Sequence, residues 1–372
     1  MRTPICEKLD IELPIFAFSH CRDVVAAVSK AGGFGVLGAL AFSPEELEIE
    51  LNWIDEHCGG KPYGVDIVMP ATYVGKGGGE DASLEHLQEL IPAEHKKFVE
   101  EHLEAAGVPP MPDDFEMRIK APSLNVDLEG PGQVAVSLEH PLVKMLVNAL
   151  GPAPQEVVEQ AHEHGILVGA LVGAKAHAER QVNIGVDVIV AQGTEAGGHC
   201  GEVSTMVLIP EVVDAVGDRA HVLAAGGIAD GRQMAAALAL GAEGVWTGSM
   251  WLTVTEAETP PDVLENLLAA SSRDTVRSRA MTGKPARQLR TKWTEMWEEP
   301  GAPAPLPMPL QGLIFAPATQ RIARAHKKEW HGAPVGQIVG RLNQVRPAKD
   351  VIFDMVEGWI DATQRLEKLI ED

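Results

Sequence analysis

The sequence predicts an α/β protein built on a (β/α)8 (TIM) barrel, with an inserted cap or subdomain and C-terminal helices. Eight short apolar runs are bounded by glycines or polar turn residues, and a helical pattern follows most of them. Strands that alternate with helices at this spacing form a parallel sheet. Eight such units in about 250 residues is typical of this barrel. A doubly wound open sheet is the alternative. The first apolar run is not followed by a GxGxxG motif, which makes this alternative less favoured.

The elements can be placed from local signals. Ser43 is a suitable N-cap, Pro44 fits the first helical position, and the acidic pair that follows complements the helix dipole. Gly32 and Gly59 are natural stops for the first two helices. The predicted strands are Leu13–Phe18, Phe34–Leu40, Tyr63–Met69, Lys144–Leu150, Ile166–Val172, Val186–Ala191, His221–Ala225 and Gly244–Trp246. The barrel helices are expected to end near Lys30 and Cys58 and to span Pro154–His164, Ala174–Ile184, Val207–Val216 and Arg232–Leu240.

Two parts of the chain depart from this alternation. Residues 71–141 are polar, contain helical patches at 83–90 and 93–106, and are too long for a bare loop, so they are predicted to form an inserted cap. Residues 1–70 and 142–285 then form the barrel, and residues 286–372 form an extension that packs on it. In this extension 298–311 is Pro-rich and expected to be extended, and helices are predicted at 317–328 and 348–369.

The composition narrows the classes of function. The 372 residues are 45% hydrophobic and carry a net charge of −22, with a pI of about 5.0. Such a charge repels nucleic acid and anionic membranes, although a local site can still bind an anionic substrate. The four cysteines form no CxxC or zinc spacing, so no metal site is predicted. Without a secretory signal or a long apolar run, we expect a cytoplasmic protein that acts on a small molecule.

Two glycine loops follow the seventh and eighth predicted strands. The first is Ala224–Asp230, with sequence AAGGIAD, and the second is Trp246–Ser249, with sequence WTGS. Backbone N–H groups in such loops bind anions, and this is the usual phosphate position of the barrel. The sequence therefore predicts a ligand that carries a phosphate group. The absence of GxxxxGKS argues against a nucleoside triphosphate.

The sixth strand and its loop, VDVIVAQGTEAGGHCG at 186–201, carry a specific resemblance. Together with 221–252 and with AAVSKAGGFGVLGAL at 26–40, this stretch is similar to the nitronate monooxygenase family, formerly called 2-nitropropane dioxygenases. The match is nearly letter for letter in AQGTEAGGH at 191–199. The resemblance covers about 13–250 apart from the insertion, and 335–347 is similar to the closing segment of these proteins.

The resemblance implies FMN as the cofactor and assigns roles to named residues. His199 matches the catalytic histidine, which can take a proton or hold an anionic nitronate because its pKa lies near working pH. The residues that match cofactor-binding positions are Ala17, Phe18, Asp66, Gln192, Gly197, Gly198, Gly226, Gly227, Thr247, Gly248 and Ser249. Glu195 is expected to hydrogen-bond within its own loop.

The sequence departs from the family pattern in two places. Ala17-Phe18-Ser19-His20 replaces an Ala-Pro-Met-like loop, and Asp66 stands where an Asn often contacts the cofactor. A carboxylate cannot donate a hydrogen bond unless it is protonated, and its charge would disfavour a reduced, anionic flavin. His20 could contact substrate, offset that charge or act as a second acid.

The expected activity is FMN-dependent oxidation of alkyl nitronates with O2, that is, a monooxygenase. The alternative is an NAD(P)H-dependent FMN reductase that acts on a quinone or an enoyl or acyl thioester. A flavin-free barrel that binds a phosphorylated metabolite is a third hypothesis, and it predicts a colourless protein.

Overall fold

The closed sheet at the centre of the protein has eight parallel strands. The structure is a computed structural model that describes residues 2–69, 84–112 and 126–371. The barrel strands are β1 (Ile15–Ser19), β2 (Phe34–Gly38), β3 (Tyr63–Ile67), β4 (Val143–Asn148), β5 (Leu167–Val172), β6 (Val188–Gln192), β8 (His221–Ala225) and β9 (Gly244–Thr247). β9 pairs with β1 and closes the barrel. The predicted (β/α)8 fold is confirmed.

Three further strands form a small antiparallel sheet in the order β10-β11-β7. They are β7 (Gly198–His199), β10 (Thr275–Ser278) and β11 (Ala286–Leu289). The helices are α1 (Pro4–Leu9), α2 (Arg22–Lys30), α3 (Pro44–His57), α4 (Leu84–Glu89), α5 (Ala93–Ala105), α6 (Val126–Glu139), α7 (Gln155–Glu163), α8 (Lys175–Ile184), α9 (Thr205–Val216), α10 (Gly231–Ala239), α11 (Pro261–Ala269), α12 (Lys292–Met296), α13 (Leu310–Arg324) and α14 (Ala348–Glu371). In the described part of the chain, no helix is long and apolar enough to cross a bilayer.

Strand alternation divides the apolar side chains between two cores. One core lies inside the barrel and includes Phe16, Phe34 and Trp246. Ile5 of α1 belongs to it, and the N–H of Ile5 donates to the carboxylate of Glu243 (2.9 Å), which precedes β9. α1 therefore closes the barrel at the N-terminal ends of the strands. The second core lies between the strands and the surrounding helices.

The start of α3 is the one that the sequence predicts. The Ser43 hydroxyl accepts from the N–H of Glu46 (3.2 Å), and the Glu46 carboxylate accepts from the N–H of Ser43 (3.1 Å). Pro44 follows at the first helical position. This capping box satisfies N–H groups that a helix start leaves unpaired, and it contributes about 1 kcal/mol.

The C-terminal helix α14 packs on the barrel against α10 and α2. Gly231, at the start of α10, allows this contact, because a Cβ there would overlap the backbone N of Trp359 and the backbone O of Met355. Any larger residue would force the two helices apart, because the obstacle is backbone rather than a flexible side chain.

The inserted helices α4 and α5 pack against α13 of the C-terminal extension. Their buried residues Leu87 and Leu103 share a third apolar cluster with Trp293 and Leu313. α6 packs instead on α3, β3 and β4, as the barrel helix between the third and fourth strands would. The division of the chain at 71, 142 and 286 stays a prediction, although a boundary at 142 would separate α6 from the strands that it covers.

The prediction for α13 is wrong at its start. This helix begins at Leu310 and contains Pro317, the residue at which the predicted helix begins. The extended connection is correspondingly shorter than 298–311. Burial of Leu310 and Leu313 in the third cluster stabilises the turns before Pro317, and this packing outweighs the backbone hydrogen bond that a proline removes.

A buried polar network joins α3 to the segment after α6. His140 Nδ1 lies 2.7 Å from Asp55 Oδ2, and its Nε2 lies 3.4 Å from Glu48 Oε2. The Tyr63 hydroxyl donates to Asp55 Oδ1 (2.9 Å). The hydrogen bond with Asp55 raises the pKa of His140, because it favours the imidazolium.

We expect His140→Gln to lower the free energy of unfolding by about 1–3 kcal/mol, since it removes a charged hydrogen-bond partner of Asp55. A raised folded-state pKa means that this stabilisation is complete below the unfolded value of about 6.5 and is lost as pH rises through the folded value. Urea unfolding at pH 6 and pH 9 measures the difference. The exposed His164 supplies the control variant His164→Gln; a loss for His140→Gln that did not shrink at pH 9 would contradict the charge argument.

Candidate active site

The carboxyl ends of the strands direct a small set of side chains into the barrel mouth. Val188 and Val190 lie in the inner core and Ala191 in the outer core, so Gln192 points inward. By the same alternation Asp66, which follows the outward-facing Val65, also points inward. Phe18 packs on the inner core, and Gly248 follows the inward Trp246 by two residues.

Two predicted cofactor residues face the other way. Ala17 is fully buried in the outer core. The Thr247 hydroxyl donates to the carbonyl of Phe16 (2.8 Å) and accepts from the Trp251 indole N–H (3.0 Å). Their side chains are therefore engaged with the outer layer, and any contact with a ligand in the mouth would be through their backbone.

The two glycine loops present unpaired backbone donors. The N–H groups of Gly226, Gly227, Gly248 and Ser249 make no hydrogen bond to any described residue. Gly226 and Gly227 adopt φ values of 97° and 71°, which glycine tolerates and other residues rarely do. A Cβ at Gly248 would have no atom within 4 Å, so this position borders open space. The Ser249 hydroxyl is already used, because it accepts from the N–H of Gly336 (2.8 Å).

The loop after β6 is held from two sides. The Glu195 carboxylate accepts from the Thr205 N–H (3.0 Å) and hydroxyl (2.8 Å), at the start of α9. The carbonyl of Glu195 accepts from the N–H of Gln337 (2.9 Å). A Cβ at Gly197 would lie 2.7 Å from the N of Gly336. Glu195 is thus a structural carboxylate, as expected, and Gly197 is required by the close approach of the C-terminal segment.

The hairpin β10–β11 extends this loop into the small sheet. His199 pairs with Ala286 and Gly198 pairs with Arg287. The Arg287 guanidinium Nε donates to the carbonyl of Thr194 (2.9 Å). This hairpin could not be predicted from the sequence, because its two strands have four residues each, which is too short for a recognisable alternation of apolar and polar residues. The division at 285/286 falls between its two strands.

The hairpin also orients the predicted catalytic histidine. His199 Nε2 lies 2.9 Å from Thr282 Oγ1. The Thr282 hydroxyl donates to the carbonyl of Lys284 (3.2 Å), so it is left to accept from Nε2–H of His199. The Nδ1 atom of the imidazole then carries the lone pair. Burial, and secondarily the charge of Lys284, lowers the pKa of His199 to about 4, so the ring is neutral at pH 7.

Asp66 is the most perturbed carboxyl group in the mouth. It is 3% exposed, and its Oδ1 atom has no hydrogen-bond partner in the described structure. Burial raises the pKa of Asp66 to about 8. The side chain is therefore a neutral acid at pH 7 and can donate a hydrogen bond, which a carboxylate at this position could not do.

His20 lies at the rim, where its ring packs on Gly38 and Nδ1 lies 3.1 Å from the Gly38 carbonyl. Its ring centroid is 5.0 Å from that of Phe18. Desolvation by the surrounding protein lowers the pKa of His20, partly opposed by the hydrogen bond with Gly38. A neutral His20 cannot offset a charge on Asp66; contact with substrate stays a prediction.

Comparisons with known proteins identify the family of this chain. The sequence model of the nitronate monooxygenase family matches residues 3–358. A putative monooxygenase of Mycobacterium tuberculosis is 54% identical over 379 aligned residues, which cover 100% of both chains. An octahydro-indene-carboxyl-CoA dehydrogenase of the same organism is 30% identical over 80% of this chain and 69% of its own.

Among solved structures, nitroalkane oxidase from Streptomyces ansochromogenes superposes with a TM-score of 0.80. It is 24% identical, over 97% of this chain and 99% of that one, and it supports the barrel fold. The family match extends over nearly the whole chain and includes the barrel, the loop of His199 and both glycine loops. The chain belongs to the nitronate monooxygenase family and is an oxidoreductase of that family.

Proposed function

We propose that the protein is an FMN-dependent enzyme that oxidises alkyl nitronates with O2. The observation that carries the proposal is the set of unpaired N–H groups at Gly226, Gly227, Gly248 and Ser249. They lie on loops after two neighbouring strands, β8 and β9, at the usual phosphate position of the barrel. Open space at Gly248 and the unpaired buried Oδ1 of Asp66 fit a ligand that fills the mouth.

The residues present suit FMN. The two glycine loops would hold its phosphate through backbone N–H groups, and Gln192 and Asp66 would supply side-chain donors to its ring system. When bound, FMN would accept the electrons of the substrate and pass them to O2. The inward faces of Phe18 and Trp246 keep this part of the mouth apolar, which strengthens the hydrogen bonds made there.

His199 suits a substrate that is already an anion. A base with a pKa near 4 removes a proton from a neutral nitroalkane inefficiently, since the best catalytic bases have pKa values near the working pH. A neutral imidazole with its Nδ1 lone pair free can still accept a proton during turnover. The Thr282 hydroxyl keeps the ring in that tautomer. These features favour the nitronate over its neutral parent.

A second candidate is an FMN reductase that passes electrons from NAD(P)H to a quinone or to an enoyl or acyl thioester. The similarity to a carboxyl-CoA dehydrogenase favours it. Lys284 also favours it: this half-buried lysine has a pKa lowered by burial alone, so no described carboxylate offsets its charge. Such a cation can hold an anionic group of a larger substrate.

One spectrum and two anaerobic titrations test these proposals. The purified protein should absorb near 450 nm; a colourless protein that takes up no added FMN would support the flavin-free barrel. Bleaching by an alkyl nitronate but not by NADH or NADPH is the expected result. Bleaching by a nicotinamide nucleotide alone would replace the first candidate with the second. A cytoplasmic location stays a prediction.

A further inference from the structure

We infer that Asp66 serves as a neutral carboxylic acid that donates a hydrogen bond to the cofactor in the barrel mouth. The inference rests on the proposed function, because it takes FMN as the ligand. Asp66 places a carboxylic acid where similar proteins often have an amide. Because a carboxylic acid can ionise and an amide cannot, cofactor binding should then depend on pH.

The position of Asp66 is the first argument. Its neighbours Val65 and Ile67 belong to the outer core, so the carboxyl group between them points into the barrel. Asp66 is buried, with 3% of its surface exposed, although it lies one residue before the carboxyl end of β3. A polar group at this depth is normally hydrogen-bonded, yet Oδ1 has no partner among the described residues.

The groups around Asp66 do not supply that partner or an opposing charge. In register, Asp66 pairs with Gly38 of β2 and with Val147 of β4. The next residue of β4, Asn148, is already engaged: its Oδ1 accepts from the N–H of Met69 (3.0 Å) and its Nδ2 donates to the Gly151 carbonyl (3.3 Å).

His20 follows β1 and lies above Gly38, and burial lowers its pKa. On the neighbouring strands β2 and β4 the titratable residue is Lys144, which is exposed and lies at the opposite end of β4 from Val147, the register partner of Asp66. α6 and α2 contact β3, whose outer side carries Val65 and Ile67, so their charged residues do not face Asp66.

An ionised carboxylate in this place would be a buried charge without a partner, which proteins avoid by protonation. The protonated form instead offers one donor and one acceptor, as an amide does. A protonated Asp66 can therefore donate to an acceptor atom of the ligand, and the same hydrogen bond gives the buried carboxyl group a partner. Above its pKa of about 8, the carboxyl group loses the donor and gains a negative charge. FMN affinity should then fall as pH rises.

The test is the dissociation constant of FMN, measured by quenching of flavin fluorescence on re-addition to the flavin-free full-length protein from pH 6 to pH 9.5. For the wild type we expect the constant to be flat below pH 8 and to rise up to tenfold per pH unit above it. Asp66→Asn should bind FMN as tightly at pH 6 and show no such rise. Asp66→Val, which has no donor, should bind at least tenfold more weakly at pH 6. Asp218→Asn, at a side chain 85% exposed, is the control.

The outcomes separate this inference from the proposed function. If every folded variant binds FMN with the same pH profile, Asp66 is not the donor and the inference is overturned, while the proposed function stands. If the folded wild type binds no FMN at any pH, both are overturned.

A readout without cofactor tests the protonation itself. A carboxyl whose folded pKa is raised loses stability as pH rises from about 4 to about 8. The urea midpoint of the flavin-free wild type should therefore fall across this range relative to that of Asp66→Asn. A constant difference between the two midpoints would overturn the neutral-acid assignment.

Discussion

Replacement of His199 by alanine should slow anaerobic flavin reduction by a neutral nitroalkane by about 100-fold, the lower end of the usual contribution of a positioned base, because a pKa near 4 makes this imidazole a weak base. Reduction by the preformed nitronate should fall much less, because no proton has to leave carbon before oxidation. In the wild type the rate with the neutral substrate should be flat above pH 5 and decline as pH falls through about 4, where the imidazole gains a proton. Stopped-flow absorbance at 450 nm measures both rates.

The matched control is His164→Ala, since His164 lies exposed at the end of α7, near the N-terminal end of β5 and so at the opposite end of the barrel from the mouth. It should leave both rates unchanged. Equal losses for the neutral nitroalkane and the nitronate in His199→Ala would show that His199 binds or orients substrate and is not the base. An inflection near pH 6.5 in the wild type would contradict the low pKa that burial and Lys284 impose on this ring.

Replacement of Gly248 by leucine should raise the dissociation constant of FMN by about 100-fold or more, equivalent to about 2.7 kcal/mol. Gly248 has a negative φ of −127°, so a side chain there does not have to enter the left-handed region, and a Cβ would meet no atom within 4 Å. The new side chain would therefore occupy the space proposed for the cofactor without disturbing the barrel. Equilibrium titration of the flavin-free protein measures the change.

Gly312 offers a control within α13, because a Cβ there would come no closer than 4.0 Å to its nearest neighbour, the carbonyl of Met281. Gly312→Ala should bind FMN as the wild type does. The melting temperature of Gly248→Leu without flavin should stay within a few degrees of wild type. Unchanged FMN affinity in a folded Gly248→Leu protein would exclude this loop from the cofactor site.

The barrel itself could be predicted because each strand is short, continuously apolar and bounded by glycines or turn residues. Such runs are buried on both faces in a parallel sheet, so the local pattern and the final environment agree. The start of α13 could not be predicted from the sequence, because Pro317 is a strong local signal that a helix begins there. Packing of Leu313 on the insertion overrides that signal, and it depends on residues about two hundred positions earlier in the chain.

The protonation state of Asp66 is a second property that local sequence signals could not predict. Its position and its departure from the family pattern are readable from the sequence, but its charge is not. A carboxyl group is ionised at pH 7 unless its surroundings remove water and supply no partner. Here strand alternation turns Asp66 into the closed barrel, and only the assembled barrel decides that the group stays neutral.

The sequence by itself determined the barrel and the family and predicted the residues of the candidate site, because apolar periodicity, glycine loops and the AQGTEAGGH motif are local properties of the chain. The tertiary structure decided how those residues are used. It directs Gln192 and Asp66 inward and Ala17 and Thr247 outward, and it brings Thr282 to His199 from 83 positions away. The physical reason is that protonation, tautomer and free hydrogen-bond donors depend on what surrounds a group, and those neighbours come from distant parts of the chain.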